Sequence, residues 1–361
     1  MSPEPRSTLD TPALLADLDV MESNIAHIAQ FCRSHGVQWR PHFKGHKTVE
    51  VAQMQISAGA IGITCAKLGE AEILAANGIG DIMIANQIVG ALKIRRLMRV
   101  KDGADVIVAV DGVDNVRELA AAAAQAGKTL RVVIEVNIGM NRAGTAPGEP
   151  TLALADEIAR HPELRLVGVM GWEAQTTGIA DPGEKEKAVA AAIGLLTQSA
   201  DLCRKAGHDM SIVSCGGTGT LLYCVKQPGV TEVQVGGGVM NDAHYRWHFN
   251  IDLPFALKVL ATVTSRPTPT RIILDAGRKT MSIETAVPHP LGLPPVADVR
   301  LSAEHAQIEL EAPSDWPRVG DRVEFIPGYT DTTIHLHEEI VALRGNRIES
   351  VWKVAGRGKI K

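Results

Sequence analysis

No run of about 18 apolar residues occurs in the chain, so no membrane-spanning helix is expected. The opening MSPEPRSTLD has no apolar core of the kind that directs export, which makes a cytoplasmic protein the expectation. An excess of charge of one sign is also missing. The 37 basic residues are matched by 41 acidic ones, a net of −4, and this argues against the broad basic face of a nucleic-acid binder. Cysteine is sparse: Cys32, Cys65, Cys203, Cys215 and Cys224 show no C-x-x-C spacing and are odd in number. Reduced thiols are therefore expected, rather than a zinc finger or a disulfide framework. There is no G-x-G-x-x-G and no Walker lysine pattern, which weighs against dinucleotides and nucleoside triphosphates. Internal repeats are absent, and the one low-complexity segment is Ala120 to Ala124.

What is present is a rhythm. A strand-like run at 11–19 and a helical spacing at 21–35 lead into short apolar runs at 37–40, 60–65, 81–85, 105–110, 131–136, 166–170, 210–213 and 232–235. Between them lie helical segments at 68–77, 91–100, 113–126, 151–161 and 184–206. Eight strands separated by helices predict an α/β fold, a parallel (β/α)8 TIM-like barrel. A doubly wound open sheet is the alternative, and eight regular units favour closure. Beyond residue 249 the helices stop, and strands are expected at 256–264, 270–275, 305–311, 322–326, 335–343 and 348–354. With 361 residues the chain divides into a barrel over 21–249 and a mostly β domain over 250–361 that takes in part of 1–20.

In such a barrel, chemistry sits where strands end. Strand one ends in Arg40-Pro41-His42-Phe43-Lys44-Gly45-His46-Lys47, and Pro41 ends or bends the strand so that Lys44 is released into a cavity. A solvated basic loop is the plainer reading. His42 and His46, four apart, would make a metal pair on a helix, but Pro41 and Gly45 argue against a helix there. Strand three delivers Asn86 and Gln87, strand five Asn137 and Gly139 to Arg142, and strand six Trp172, Glu173 and Gln175. Strand seven ends in Gly216-Gly217-Thr218-Gly219-Thr220 and strand eight in Gly236-Gly237-Gly238. Glycines after adjacent strands let backbone N–H groups approach an anion, so a phosphate site is expected; tight turns are the simpler alternative. A lysine opposite a phosphate cradle suggests pyridoxal 5′-phosphate, whose aldehyde condenses with an amine. Arg142 would face its phenolic oxygen or a substrate carboxylate, or else form a structural ion pair, and Trp172 would stack on its ring or serve as core.

These residues, with Gly139-Met140-Asn141-Arg142-Ala143-Gly144, Asp275-Ala276-Gly277-Arg278-Lys279, Thr11-Pro12 and Glu304-His305, resemble the D-threonine aldolase and D-serine dehydratase family, built on the alanine racemase type of barrel. The resemblance implies pyridoxal phosphate on Lys44, phosphate contacts from Gly217, Thr218, Gly219, Gly238 and Val239, and Arg142 at the phenolic oxygen. It also implies a homodimer and a small amino-acid substrate. Relatives carry a His-x-Cys or His-x-Asp metal pair where this chain has Tyr329-Thr330-Asp331. Asp331 and Tyr329 are thus the expected metal position, but a phenol, with a pKa of about 10, is a weak ligand and puts the divalent metal in question. His335 or His337 would be the substitute, although a histidine on a strand is more often structural. Trp172 and Gln175 stand where relatives have tyrosine and histidine, which moves the proton-transfer role onto changed residues. The expected catalytic set is Lys44, His305, Trp172 and Gln175. The expected reaction is retro-aldol cleavage of a D-3-hydroxy amino acid; dehydration is the alternative, racemisation a further one.

Overall fold

A computed structural model describes residues 5–361 and resolves two compact units. One comprises His27–Lys44, Val49–Gly236 and Gly358–Lys361; the other comprises the described residues up to Ala26, Gly45–Thr48 and Gly237–Arg357.

The first unit is the barrel. Its strands, in chain order, are Gln38–Trp39, Ile63–Cys65, Asp81–Gln87, Asp105–Val110, Leu130–Glu135, Leu164–Met170, Ile212–Cys215 and Glu232–Val233. All pairings are parallel, the first strand beside the eighth and each of the rest beside its predecessor from the third onward. The ring closes between the first and second strands, where the Ile61 and Thr64 amides each donate to the carbonyls of Trp39 and Pro41 at 2.9 Å. Parallel strands covered on both faces require continuous apolar runs, and Ile82, Met83 and Ile84 are all fully buried. Met83, Ile107, Ala109, Val133, Val167 and Met170 pack together as one cluster. The barrel helices start and stop on local signals. Asp181 caps Pro182–Lys205 by accepting the Glu184 amide at 2.8 Å, and Val113–Ala126 ends at Gly127 in the left-handed region, φ +62°.

The second unit is a nine-stranded sheet. Its longest strand, Leu257–Thr268, runs antiparallel to Ala13–Asp17, Arg271–Leu274 and Arg322–Ile326. Ala13–Asp17 adds Glu339–Arg344 on its other side, and Leu15, Leu260 and Leu343 meet in a core between them. The Thr11 hydroxyl donates to Asp275 at 2.6 Å, and Asp275 accepts the Thr262 amide at 2.8 Å, which pins the N-terminal strand to the sheet.

Several elements differ from expectation. Val49–Ser57 is a helix where none was expected, and Val296–Leu301 is an additional strand. His335 is not on a strand: Ile334–Leu336 is a 3-10 turn, and the strand begins at Glu339. Among the described residues no helix is long and apolar enough to cross a membrane.

Candidate active site

Because all eight strands are parallel, their carboxyl ends lie at one end of the barrel. Strand one is anchored there from beneath. The Trp39 indole donates to the Val235 carbonyl at 2.8 Å, and buried Arg40 donates to both Glu232 oxygens at 3.1 Å and also pairs with Asp81. These bonds fix the strand just before its tip. Phe43–Gly45 is a 3-10 turn with Phe43 fully buried and Lys44 exposed. The Lys44 amide donates to His42 Nδ1 at 3.3 Å. A Cβ on Gly236 would lie 2.2 Å from the His42 carbonyl oxygen, so the end of strand eight is glycine because strand one presses on it. His42 is thereby a wall of the turn. The His46 ring faces the Thr48 amide at 3.3 Å, and the turn between the two histidines is not the helix that a metal pair at that spacing needs.

After strand seven, Gly216 holds φ +77°. The Gly217 amide donates to Thr220 Oγ1 at 3.2 Å, and a Cβ on Gly217 would lie 2.5 Å from the Trp172 ring. Gly217 is therefore needed for the approach of Trp172, and its N–H is used within the loop. Thr218–Thr220 forms a buried 3-10 turn. Behind it sits Glu173, which accepts the Gly216 amide at 3.3 Å and lies 2.6 Å from the Thr220 hydroxyl; burial pushes its carboxyl above the usual range.

Arg142 leaves the loop after strand five with 56% of its side chain exposed, its guanidinium 3.9 Å from Glu135. Glu135 accepts the Gln87 amide at 2.6 Å, and its carboxyl is raised chiefly by burial. The loop is shaped by Gly139 and Asn141, both at positive φ, and by Asn137, which accepts the Gly139 and Asn141 amides at 3.1 and 3.0 Å. Gln175 donates to the Ile138 carbonyl at 2.9 Å and lies over Gly139, so it ties the strand-six loop to the Arg142 loop.

The second unit carries its own cluster. A Cβ on Gly45, the residue after Lys44, would lie 2.9 Å from Asp331 Oδ1, and one on Gly237 would lie 2.4 Å from the Tyr245 hydroxyl oxygen. The Tyr245 and His244 rings meet the Tyr329 ring edge-on at 5.7 and 5.3 Å. Asp242, fully buried, caps Ala243–His248 by accepting the Tyr245 amide at 2.8 Å and also accepts the Thr330 amide at 2.7 Å; burial pushes its carboxyl up to about 7. Gly238 and Val239 lie in the 3-10 turn Gly237–Val239, where the Val239 carbonyl accepts Asn24 at 3.2 Å. His305 is exposed at the end of a turn closed by the Ser302 amide on its carbonyl at 2.9 Å. Lys279 pairs with Glu304 of that turn at 2.6 Å. His337 is held by the Thr280 carbonyl at 2.9 Å and His335 by the Asp331 carbonyl at 3.3 Å.

A divalent ion at Asp331 and Tyr329 would need a deprotonated phenol. Burial and the Asp331 charge push the Tyr329 hydroxyl far above its ordinary value. Among the described residues no three or more His, Cys, Asp and Glu side chains gather to hold an ion. The donor set at Tyr329 and Asp331 does not fit a metal. Pyridoxal phosphate is different: an exposed amine at the end of strand one, a flexed glycine turn with hydroxyls after strand seven and a guanidinium after strand five match its aldehyde, phosphate and phenolic oxygen.

The sequence did not single out Tyr245, His244 or Asp242, and it gave Glu173 no role. The signal for the first three is Asp242 at a helix start followed by His244 and Tyr245; for Glu173 it is a carboxyl directly after an apolar strand.

Residues 16–242 match the alanine racemase N-terminal domain, and residues 256–343 match a serine dehydratase domain. A D-threonine aldolase from an Arthrobacter species is 32% identical over 98% of this chain and 94% of its own. A D-threo-3-hydroxyaspartate dehydratase from a Delftia species is 35% identical over 76% of this chain and 73% of its own. The crystal structure of D-threonine aldolase from Filomicrobium marinum superposes with a TM-score of 0.96 at 32% identity, covering 99% of both chains. With the barrel, the lysine at its strand end and the appended β unit in the same order, the chain belongs to the D-threonine aldolase and D-serine dehydratase family of the alanine racemase-like fold, which is a pyridoxal phosphate-dependent one.

Proposed function

We propose that the protein is a pyridoxal phosphate-dependent lyase that cleaves the Cα–Cβ bond of a D-3-hydroxy amino acid, giving glycine and an aldehyde. The observation that carries this reading is Lys44, exposed at the end of strand one in the same unit as the glycine turn Thr218–Thr220 and Arg142, in a chain 32% identical to a D-threonine aldolase over 98% of its length. When bound, the cofactor supplies an electron sink for the pair left on Cα. Lys44 is its point of attachment, Arg142 holds the phenolic oxygen, and Thr218, Gly219 and the Gly238 and Val239 backbone hold the phosphate. Gly217 contributes by leaving room for Trp172, which flanks the ring.

Retro-aldol cleavage requires a base for the 3-hydroxyl proton as Cβ becomes a carbonyl. Asp331 is assigned that role, and His305 is the second candidate. Gln175 acts by positioning the Arg142 loop. The unfitted donor set supports a reaction that needs no divalent ion. A homodimer working in the cytoplasm on a small amino acid completes the reading.

Dehydration is the second reading, favoured by the serine dehydratase match over the β unit. Incubation with D-threonine separates the two. Glycine and acetaldehyde in equal amounts are expected; 2-oxobutanoate and ammonia without glycine would replace the aldolase by the dehydratase.

A further inference from the structure

Glu173 is fully buried directly behind the glycine loop, and no chemical step above uses it. It reaches the loop twice. Its Oε2 accepts the Gly216 amide at 3.3 Å, and its Oε1 lies 2.6 Å from the Thr220 hydroxyl. Thr220 Oγ1 in turn accepts the Gly217 amide at 3.2 Å, while the Thr220 amide donates to the Gly217 carbonyl at 3.2 Å. One carboxyl from the end of strand six thus closes the loop after strand seven into a ring. Both flanks of Thr218 and Gly219 are tied inward by these bonds, so the turn that faces an anion is shaped from behind. Both carboxyl oxygens act as acceptors, Oε1 from the Thr220 hydroxyl at 2.6 Å and Oε2 from the Gly216 amide at 3.3 Å, and burial raises the carboxyl above its usual range.

We propose that Glu173, acting through Thr220 and Gly216, is the positioning residue that shapes the Thr218–Gly219 turn for the phosphate group of the cofactor. It rests on the cofactor reading above and specifies how one group of that cofactor is selected. A glutamine can keep the ring closed, because its carbonyl accepts from Gly216 and its amide meets the Thr220 oxygen once that hydroxyl turns to the Gly217 carbonyl, 3.4 Å away. Alanine leaves the Gly216 amide and the Thr220 hydroxyl without this partner in a buried place.

The test is titration of the cofactor-free protein with pyridoxal 5′-phosphate and with pyridoxal, which lacks the phosphate, followed by visible absorbance. Glu173→Ala is expected to weaken pyridoxal phosphate binding by about tenfold or more and pyridoxal binding by less than about twofold, while Glu173→Gln stays within about threefold of the parent for both. Thr220→Val keeps the side-chain shape and is expected to follow Glu173→Ala, so the test stands if the alanine variant does not fold. Equal losses for the two ligands, an unchanged phosphate-ester affinity in a folded variant, or a glutamine variant as impaired as alanine would each overturn the proposal. A parent protein that binds both ligands equally tightly overturns it alone; one that binds neither overturns the cofactor reading as well.

Discussion

At the residue scale, the candidate site is defined by what lies next to glycine as much as by its charged groups. Gly217 sits under Trp172, and an added methyl would lie 2.5 Å from the ring. Either the indole or the loop must move, a strain of about 1–3 kcal/mol. Gly217→Ala is therefore expected to weaken cofactor binding by about tenfold while the unfolding temperature changes little, measured by absorbance titration and calorimetry. An unchanged affinity would show that Trp172 does not set the loop.

Tyr329 poses a sharper question. Burial and the Asp331 charge hold its phenol far from ionisation. The parent enzyme is expected to keep its activity in chelator, whereas Tyr329→His, which puts an imidazole two residues before Asp331, is expected to gain a response to manganese of about tenfold. Loss of parent activity in chelator, restored by metal, would reverse the assignment of Tyr329 and Asp331 as a metal-independent pair.

At the element scale, the short helix Ala243–His248 carries Tyr245 and His244, and its cap Asp242 is the group that responds to pH. The Asp242 carboxyl is raised to about 7 in the folded chain against an ordinary value near 3.8. Between these values the folded state holds a proton that the unfolded state has released, so the stabilising contribution present below pH ~4 is lost as pH rises toward ~7. Above that it stays constant. Asp242→Asn is expected to flatten the dependence of the unfolding temperature on pH between about 4 and 7, since asparagine still accepts from a helix amide but does not titrate. An unaltered slope would place the proton uptake elsewhere.

Across the whole molecule, the barrel was legible because its strands are buried on both faces and read as continuous apolar runs, Ile82 to Ile84 being the plainest case. The end of strand one was legible because Pro41 marks it. Other parts were hidden for physical reasons. Val49–Ser57 buries Gln55 beside Val49, Val51 and Ala52, so its apolar pattern does not follow a clean helical period. Val296–Leu301 is an edge strand paired only with Ala306–Leu310, and it alternates charged with apolar residues after two prolines. The cluster of Asp242, His244, Tyr245, Tyr329 and Asp331 joins segments more than 80 residues apart through hydrogen bonds such as Asp242 to Thr330, a separation of 88, and no local period announces such contacts. Glu173 was read as one strand-end polar group among several, because a single glutamate in sequence carries no sign of burial.

The central claim is that Lys44 is where the cofactor is attached, and one measurement addresses it directly. The protein loaded with pyridoxal phosphate is reduced with borohydride, digested, and its peptides are weighed by mass spectrometry. A single phosphopyridoxyl mass on the peptide that contains Lys44, mapped by fragmentation to that residue and lost in Lys44→Ala, is the expected result. The same mass on Lys47 or on any other lysine, or no modified peptide from protein that has been saturated with cofactor, would contradict it.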